Sequence, residues 1–206
     1  MEKAHRKCLL NVILRIEHRI NLVLEGLILG LNMPIICSNI ILWRHAEAAD
    51  ASDDAPQSDM ARALTPKGQR QAKRMARWLK THLPEDTLML SSAALRAFQT
   101  AQALTKTNSI KINVCSALNP NASLSEIVAF LARFDAKSNV LLVGHQPLLG
   151  RLANHLLALD SSDFNIKKGA IWWLRLASNP DNLNQPLRYE IVSVQTPSLV
   201  YSYSIK

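Results

Sequence analysis

The sequence predicts an α/β fold: a three-layer α/β/α domain with a mainly parallel sheet over residues 33–206, preceded by an N-terminal amphipathic helix over residues 1–32. Two observations lead there. Short apolar runs rich in β-branched residues alternate along the chain with segments of helical period, the pattern of a parallel sheet with helices on both faces. Helix starts are also marked: Thr65-Pro66 is a capping residue followed by proline at the first helical position, and Ser123 with Glu126 forms a capping box. A chain of 206 residues suits one such domain, and 48% apolar with 19% charged residues excludes a disordered protein.

Met1–Asn32 carries Leu9, Ile13, Ile16, Ile20, Val23, Leu27 and Leu31 on one helical stripe. Arg15, Glu17, His18, Arg19 and Glu25 interrupt it, so no apolar run approaches the roughly 20 residues that span a bilayer. The same charges fit a secretory signal poorly, and no small-residue cleavage site follows. Three readings stay open: a peripheral membrane or partner-binding helix, a helix packed on the main domain, or translation starting at Met33. No chemistry falls in this stretch.

The domain then reads in order. Ile35–Trp43 is a buried strand, and Ala46–Ala63 a polar, Asp-rich loop. A helix from Thr65 to about His82 presents the stripe Leu64, Ala72, Met75, Ala76 and Leu79. Thr87–Leu90 is a short strand, Ala94–Leu104 a helix, Ile110–Val114 a weak strand and Ser123–Phe134 a helix. Val140–Val143 is a strand stopped by Gly144, and Pro147–Leu157 the next helix. Ala170–Leu176 and Tyr189–Gln195 are strands joined by the loop Ser178–Pro186.

Unusual chemistry gathers at strand ends. The first strand ends in Arg44-His45, the second leads through Ser91-Ser92 to Arg96, and the Val140–Val143 strand ends in Gly144-His145. In sheets of this kind ligands collect beyond the carboxyl ends of the strands, so these groups should meet. A lone histidine after a strand is ordinarily a capping residue, and a lone helical arginine a surface ion-pair partner. Two of each on one edge are different, because adjacent guanidinium groups repel unless a dense anion lies between them. Guanidinium forks match phosphoryl oxygens in paired hydrogen bonds, and an imidazole is the natural nucleophile among them. No Asp/Glu cluster offers a magnesium site, so no metal or other cofactor is expected and the cationic side chains must stabilise the transferring group.

At these positions the chain resembles the histidine phosphatase superfamily (phosphoglycerate mutase-like), with the SixA-type phosphohistidine phosphatases as its closest branch. The resemblance rests on Leu42-Trp43-Arg44-His45-Ala46-Glu47, the Leu64–Ala72 segment, Ser92–Ala101 and Val143-Gly144-His145-Gln146-Pro147, and it spans roughly Ile35 to Val194. It implies that His45 is the nucleophile and that Arg44, Arg96 and His145 bind the phosphoryl oxygens, with Ser92 a hydroxyl near the pocket. It implies structural roles for Gln99-Thr100-Ala101 and Leu64–Ala72. Ala46 and Ala93 depart from the glycine and proline common there.

The implied activity is metal-independent dephosphorylation of a phosphohistidine-containing protein, such as a histidine phosphotransfer domain, through a phosphohistidine at His45. Other readings are a small-molecule phosphate-ester phosphatase or phosphomutase of the same superfamily, a phosphoprotein-binding module without catalysis, and a membrane-docked regulatory protein. The formal charge of +8 favours an anionic partner. No nucleic acid partner is expected, since RNP-like aromatics, zinc-finger spacing and Lys/Arg blocks are missing. No membrane association is expected either. Cys8, Cys37 and Cys115, odd in number and far apart, suit a reducing, cytoplasmic setting. Lys67, Arg70, Lys73, Arg74, Arg77 and Lys80 form a basic helix face that is either ordinary solvated surface or a guide for an acidic phosphoprotein. Ser116–Asn121, the segment where a leaving-group acid is sought, holds no carboxylate, which leaves Glu47 and Asp50 as candidates.

Overall fold

The computed structural model describes residues 34–50, 59–106, 110–159, 164–177 and 187–200. The chain divides into two compact units, Met1–Ile35 and Ile36–Lys206. The amphipathic segment read over residues 1–32 lies outside the described residues, as do Cys8 and the loop read over 178–186.

The second unit holds a six-stranded sheet of order β3-β2-β4-β1-β5-β6. Its strands are β1 Asn39–Arg44, β2 Leu88–Ser91, β3 Ile112–Val114, β4 Asn139–Gly144, β5 Ile171–Leu176 and β6 Tyr189–Gln195. Strands β3, β2, β4 and β1 run parallel, whereas β5 is antiparallel to β1 and β6 antiparallel to β5. Ile40–Trp43 of β1 and Val140–Val143 of β4 are wholly buried, which explains why both read as unbroken apolar runs rather than alternating ones.

The described helices are α1 Pro66–His82, α2 Leu95–Thr105, α3 Leu124–Leu131 and α4 Leu148–Leu156. Ile41, Trp43, Met89, Leu141 and Val143 face Met75, Ala76 and Leu79 of α1 and Ala97, Ala101 and Leu104 of α2 in one continuous core. The period-two alternation of strands turns Ile40 and Leu42 to the other face, and α4 packs on β1 there with α3 against it. Among the described residues no helix is long and apolar enough to cross a membrane.

Several boundaries differ from the sequence reading. β1 starts at Asn39 because β4 begins opposite it at Asn139, and antiparallel β5 pairs with it only as far as Arg175. Cys37 instead offers its carbonyl to the Tyr189 hydroxyl at 2.8 Å. α3 stops at Leu131 rather than Phe134. The Asp135 carboxylate accepts from the Lys137 N–H and the Ser138 hydroxyl, a local turn that competes with further helix. Arg74 leaves the basic face of α1, since its guanidinium donates to the Pro197 carbonyl at 2.5 Å.

Candidate active site

Three parallel strands deliver the site. Arg44 ends β1 opposite Gly144 of β4, and Ser91 of β2 lies opposite Val143. The ladder continues one residue beyond the strands, with the His45 N–H donating to the Gly144 carbonyl and the Ser92 N–H to the Val143 carbonyl, each at 3.0 Å. His45, Ser92 and His145 therefore leave the sheet side by side, and Arg96 joins them from the first turn of α2. Arg44, His45, Arg96 and His145, which the sequence singles out, line one cleft of about 270 Å³. Its wall also includes Ala48, Asp59, Arg62, Pro120, Gln146 and Lys168.

His45 is 5% exposed. Its Nδ1 lies 2.7 Å from the Ala46 carbonyl oxygen. A carbonyl can only accept, so Nδ1 carries the proton and Nε2 is left with its lone pair. Burial, opposed by that hydrogen bond and reinforced by the charges of Arg96, Arg44 and Lys168, holds the His45 pKa down at about 4. At neutral pH the ring is thus uncharged, with the Nε2 lone pair free.

His145 is oriented by a chain of bonds. The Ala93 N–H donates to Asn119 Oδ1 at 3.0 Å, which identifies that atom as the amide oxygen. The Ser92 hydroxyl donates to the same oxygen at 3.1 Å and accepts from the Ala94 N–H at 3.1 Å. With its proton committed, Ser92 Oγ accepts from His145 Nε2–H at 2.9 Å. His145 Nδ1 has no partner. Burial first, then the neighbouring His45 and Arg96, press the His145 pKa down to about 3. Ser92 is wholly buried and stands behind His145 rather than on the cleft wall.

The arginines are anchored differently. Arg44 donates from Nη1 to the Ile166 carbonyl at 2.6 Å, and its buried Nε has no partner. Arg96, 3% exposed, gives Nη1 to the Asp59 carbonyl and Nη2 to the Asp59 carboxylate at 2.6 Å. Arg62 Nε lies 3.0 Å from the other Asp59 oxygen. The sequence reading therefore overlooked Asp59, Arg62, Lys168 and the orienting Asn119. The one local trace was Asp59 and Arg62 three apart just ahead of the Thr65 cap, in a loop with no periodicity to flag them. Of the carboxylates that reading named, Glu47 pairs with Lys67 at 2.7 Å and Thr65 at 3.1 Å, tying the loop to α1. Asp50 is exposed and is not among the residues lining the cleft.

The chain is similar to several known proteins. The profile of the histidine phosphatase superfamily (branch 1) matches residues 40–120. The chain is 35% identical over 140 residues to an uncharacterised protein of Picosynechococcus sp., covering 66% of this chain and 84% of that one. It is 31% identical over 122 residues to the phosphohistidine phosphatase SixA of Escherichia coli, covering 57% of this chain and 73% of SixA. A solved structure of the protein histidine phosphatase SixA complexed with tungstate shares the fold, with a TM-score of 0.66 at 24% identity over 79% of this chain and 99% of that one. With these relatives, the chain belongs to the histidine phosphatase superfamily, as a phosphatase of its SixA-like branch.

Proposed function

We propose that this protein is a phosphohistidine phosphatase that carries the phosphoryl group transiently on His45 Nε2. The observation that carries the reading is the 2.7 Å bond from His45 Nδ1 to the Ala46 carbonyl, which leaves Nε2 unprotonated in a cationic cleft. The Nε2 lone pair attacks phosphorus. Arg44 and Arg96 hold the equatorial oxygens and balance the charge that builds on them, the role of a preorganised oxyanion site. A bound dianion reverses the electrostatics around His145, whose Nδ1 takes a proton and donates it as a hydrogen bond to a phosphoryl oxygen. Ser92 and Asn119 keep that ring in register. Water then attacks the phosphohistidine, and phosphate departs.

In this reading the protein works without a metal, because the arginines and the protonated His145 supply the charge that magnesium supplies elsewhere. The partner is a cytoplasmic phosphohistidine-containing protein, such as a histidine phosphotransfer domain. Arg62 and Lys168 at the cleft, with Lys67, Arg70, Lys73, Arg77 and Lys80 on α1, favour the approach of an acidic one. A phosphohistidine protein, p-nitrophenyl phosphate and a sugar phosphate assayed side by side test the assignment. The phosphohistidine protein should have the highest kcat/KM, and a faster sugar phosphate would reject the substrate class.

A further inference from the structure

A carboxylate stands in the wall of a cleft that otherwise presents cations, imidazoles and neutral groups. Asp59 opens the 3₁₀ turn Asp59–Ala61 and shares the cleft with Arg44, His45, Arg96 and His145. It is the one carboxylate among the described residues that line it. A phosphoryl dianion is repelled by a carboxylate at this range, so the residue does not serve the phosphoryl group directly. Holding Arg96 occupies its backbone carbonyl and one oxygen, Oδ2. Oδ1 lies 3.0 Å from Arg62 Nε, yet that N–H is out of line and makes no hydrogen bond. A carboxylate offers about four acceptor positions, and the Asp59 side chain is 52% exposed, so acceptor capacity remains open. It suits a hydrogen-bond donor brought in by the substrate, preferably a cationic one.

We infer that Asp59 is a specificity-determining residue that accepts the free ring N–H of a phosphohistidine imidazolium, an inference that rests on the substrate class proposed above. In such a substrate one ring nitrogen bears the phosphoryl group and the other a proton. As His45 Nε2 forms its bond to phosphorus, the old P–N bond breaks and its electron pair returns to the departing ring. That ring keeps its proton on the other nitrogen and leaves as neutral imidazole, while His45, still protonated at Nδ1, becomes the phosphorylated cation. No proton has to be supplied to the leaving group. Asp59 favours the protonated ring, which leaves well, and has no proton to give an alkoxide. Burial alone would raise the Asp59 pKa, but the Arg96 hydrogen bond and the charges of Arg96 and Arg62 outweigh it and hold the group below its usual value, ionised.

The test compares kcat/KM of the wild type and Asp59→Asn on a phosphohistidine peptide and on p-nitrophenyl phosphate, whose phenolate leaves without a proton. The ratio of peptide to aryl-ester kcat/KM should fall about tenfold or more, the size of one lost hydrogen bond to a charged group, on top of any loss that both substrates share through Arg96. Retained aryl activity also shows that the variant is folded. Equal losses on both substrates would make Asp59 only a holder of Arg96, and no loss on either would leave it without a role; each result overturns the inference. A wild type that cleaves the peptide no better than the aryl ester would contradict the phosphohistidine reading itself, and the inference would fall with it.

Discussion

His145 Nε2 lies 2.9 Å from Ser92 Oγ, and this contact decides which nitrogen of His145 is free to change its charge. Because the Ser92 proton is committed to Asn119, Nε2 keeps its own and Nδ1 is the site that titrates. The surrounding protein holds that site unprotonated at neutral pH. A bound phosphoryl dianion favours the opposite state.

Anion binding should therefore take up a proton. Vanadate binding at pH 7, followed by calorimetry in buffers of different ionisation enthalpy, should show uptake of close to one proton per site. His145→Gln should abolish it. Binding without proton uptake in the wild type would contradict the charge change at Nδ1.

Loss of the Ser92 hydroxyl should disturb turnover through His145. Ser92→Ala leaves Nε2–H without an acceptor and frees the ring to turn, so kcat should fall by roughly tenfold with KM little changed, about the worth of one buried hydrogen bond. The proton uptake on vanadate binding should weaken in parallel. An unchanged kcat would show that the contact does not position the ring.

Stability should decline in mild acid. His45 and His145 have folded pKa values of about 4 and about 3, below their ordinary value of 6.5. Between those limits the unfolded chain binds protons that the folded chain refuses, so stability rises with pH and is lost as pH falls from about 6.5 toward 4. Urea midpoints measured across that window should drop. In His145→Gln the slope should be shallower, and an identical slope would mean that the ring is not held neutral.

Much of this was legible in the sequence. The apolar runs at Ile40–Trp43 and Val140–Val143 identified central strands because both faces of those strands are buried, and the residues following them named His45 and His145. Thr65-Pro66 marked its helix correctly, with the Thr65 hydroxyl accepting from the Gly68 N–H at 3.0 Å. The extent of β1 was not legible, since it depends on where β4 begins and antiparallel β5 ends. Asp59 was hidden for a related reason. Its role comes from the approach of Arg96, 37 residues away along the chain, and no local spacing encodes that meeting.

Gly68 illustrates a constraint visible only in three dimensions. A Cβ there would come within 1.9 Å of the Glu47 carbonyl oxygen, in the loop that follows His45. Gly68→Ala should destabilise the protein by about 1–3 kcal/mol, as overpacking against backbone does, and should lower activity by shifting that loop. Denaturant titration checks the first effect, and a stability equal to wild type would place the loop farther from α1.

The most direct test of the account is to trap the phosphoryl group. Rapid quenching during turnover should label the protein with a phosphoryl group that is acid-labile and base-stable, and digestion should place it on His45. His45→Ala should show neither label nor turnover while keeping its fold. Label on Ser92, Cys37 or Cys115, or turnover surviving in His45→Ala, would contradict the account.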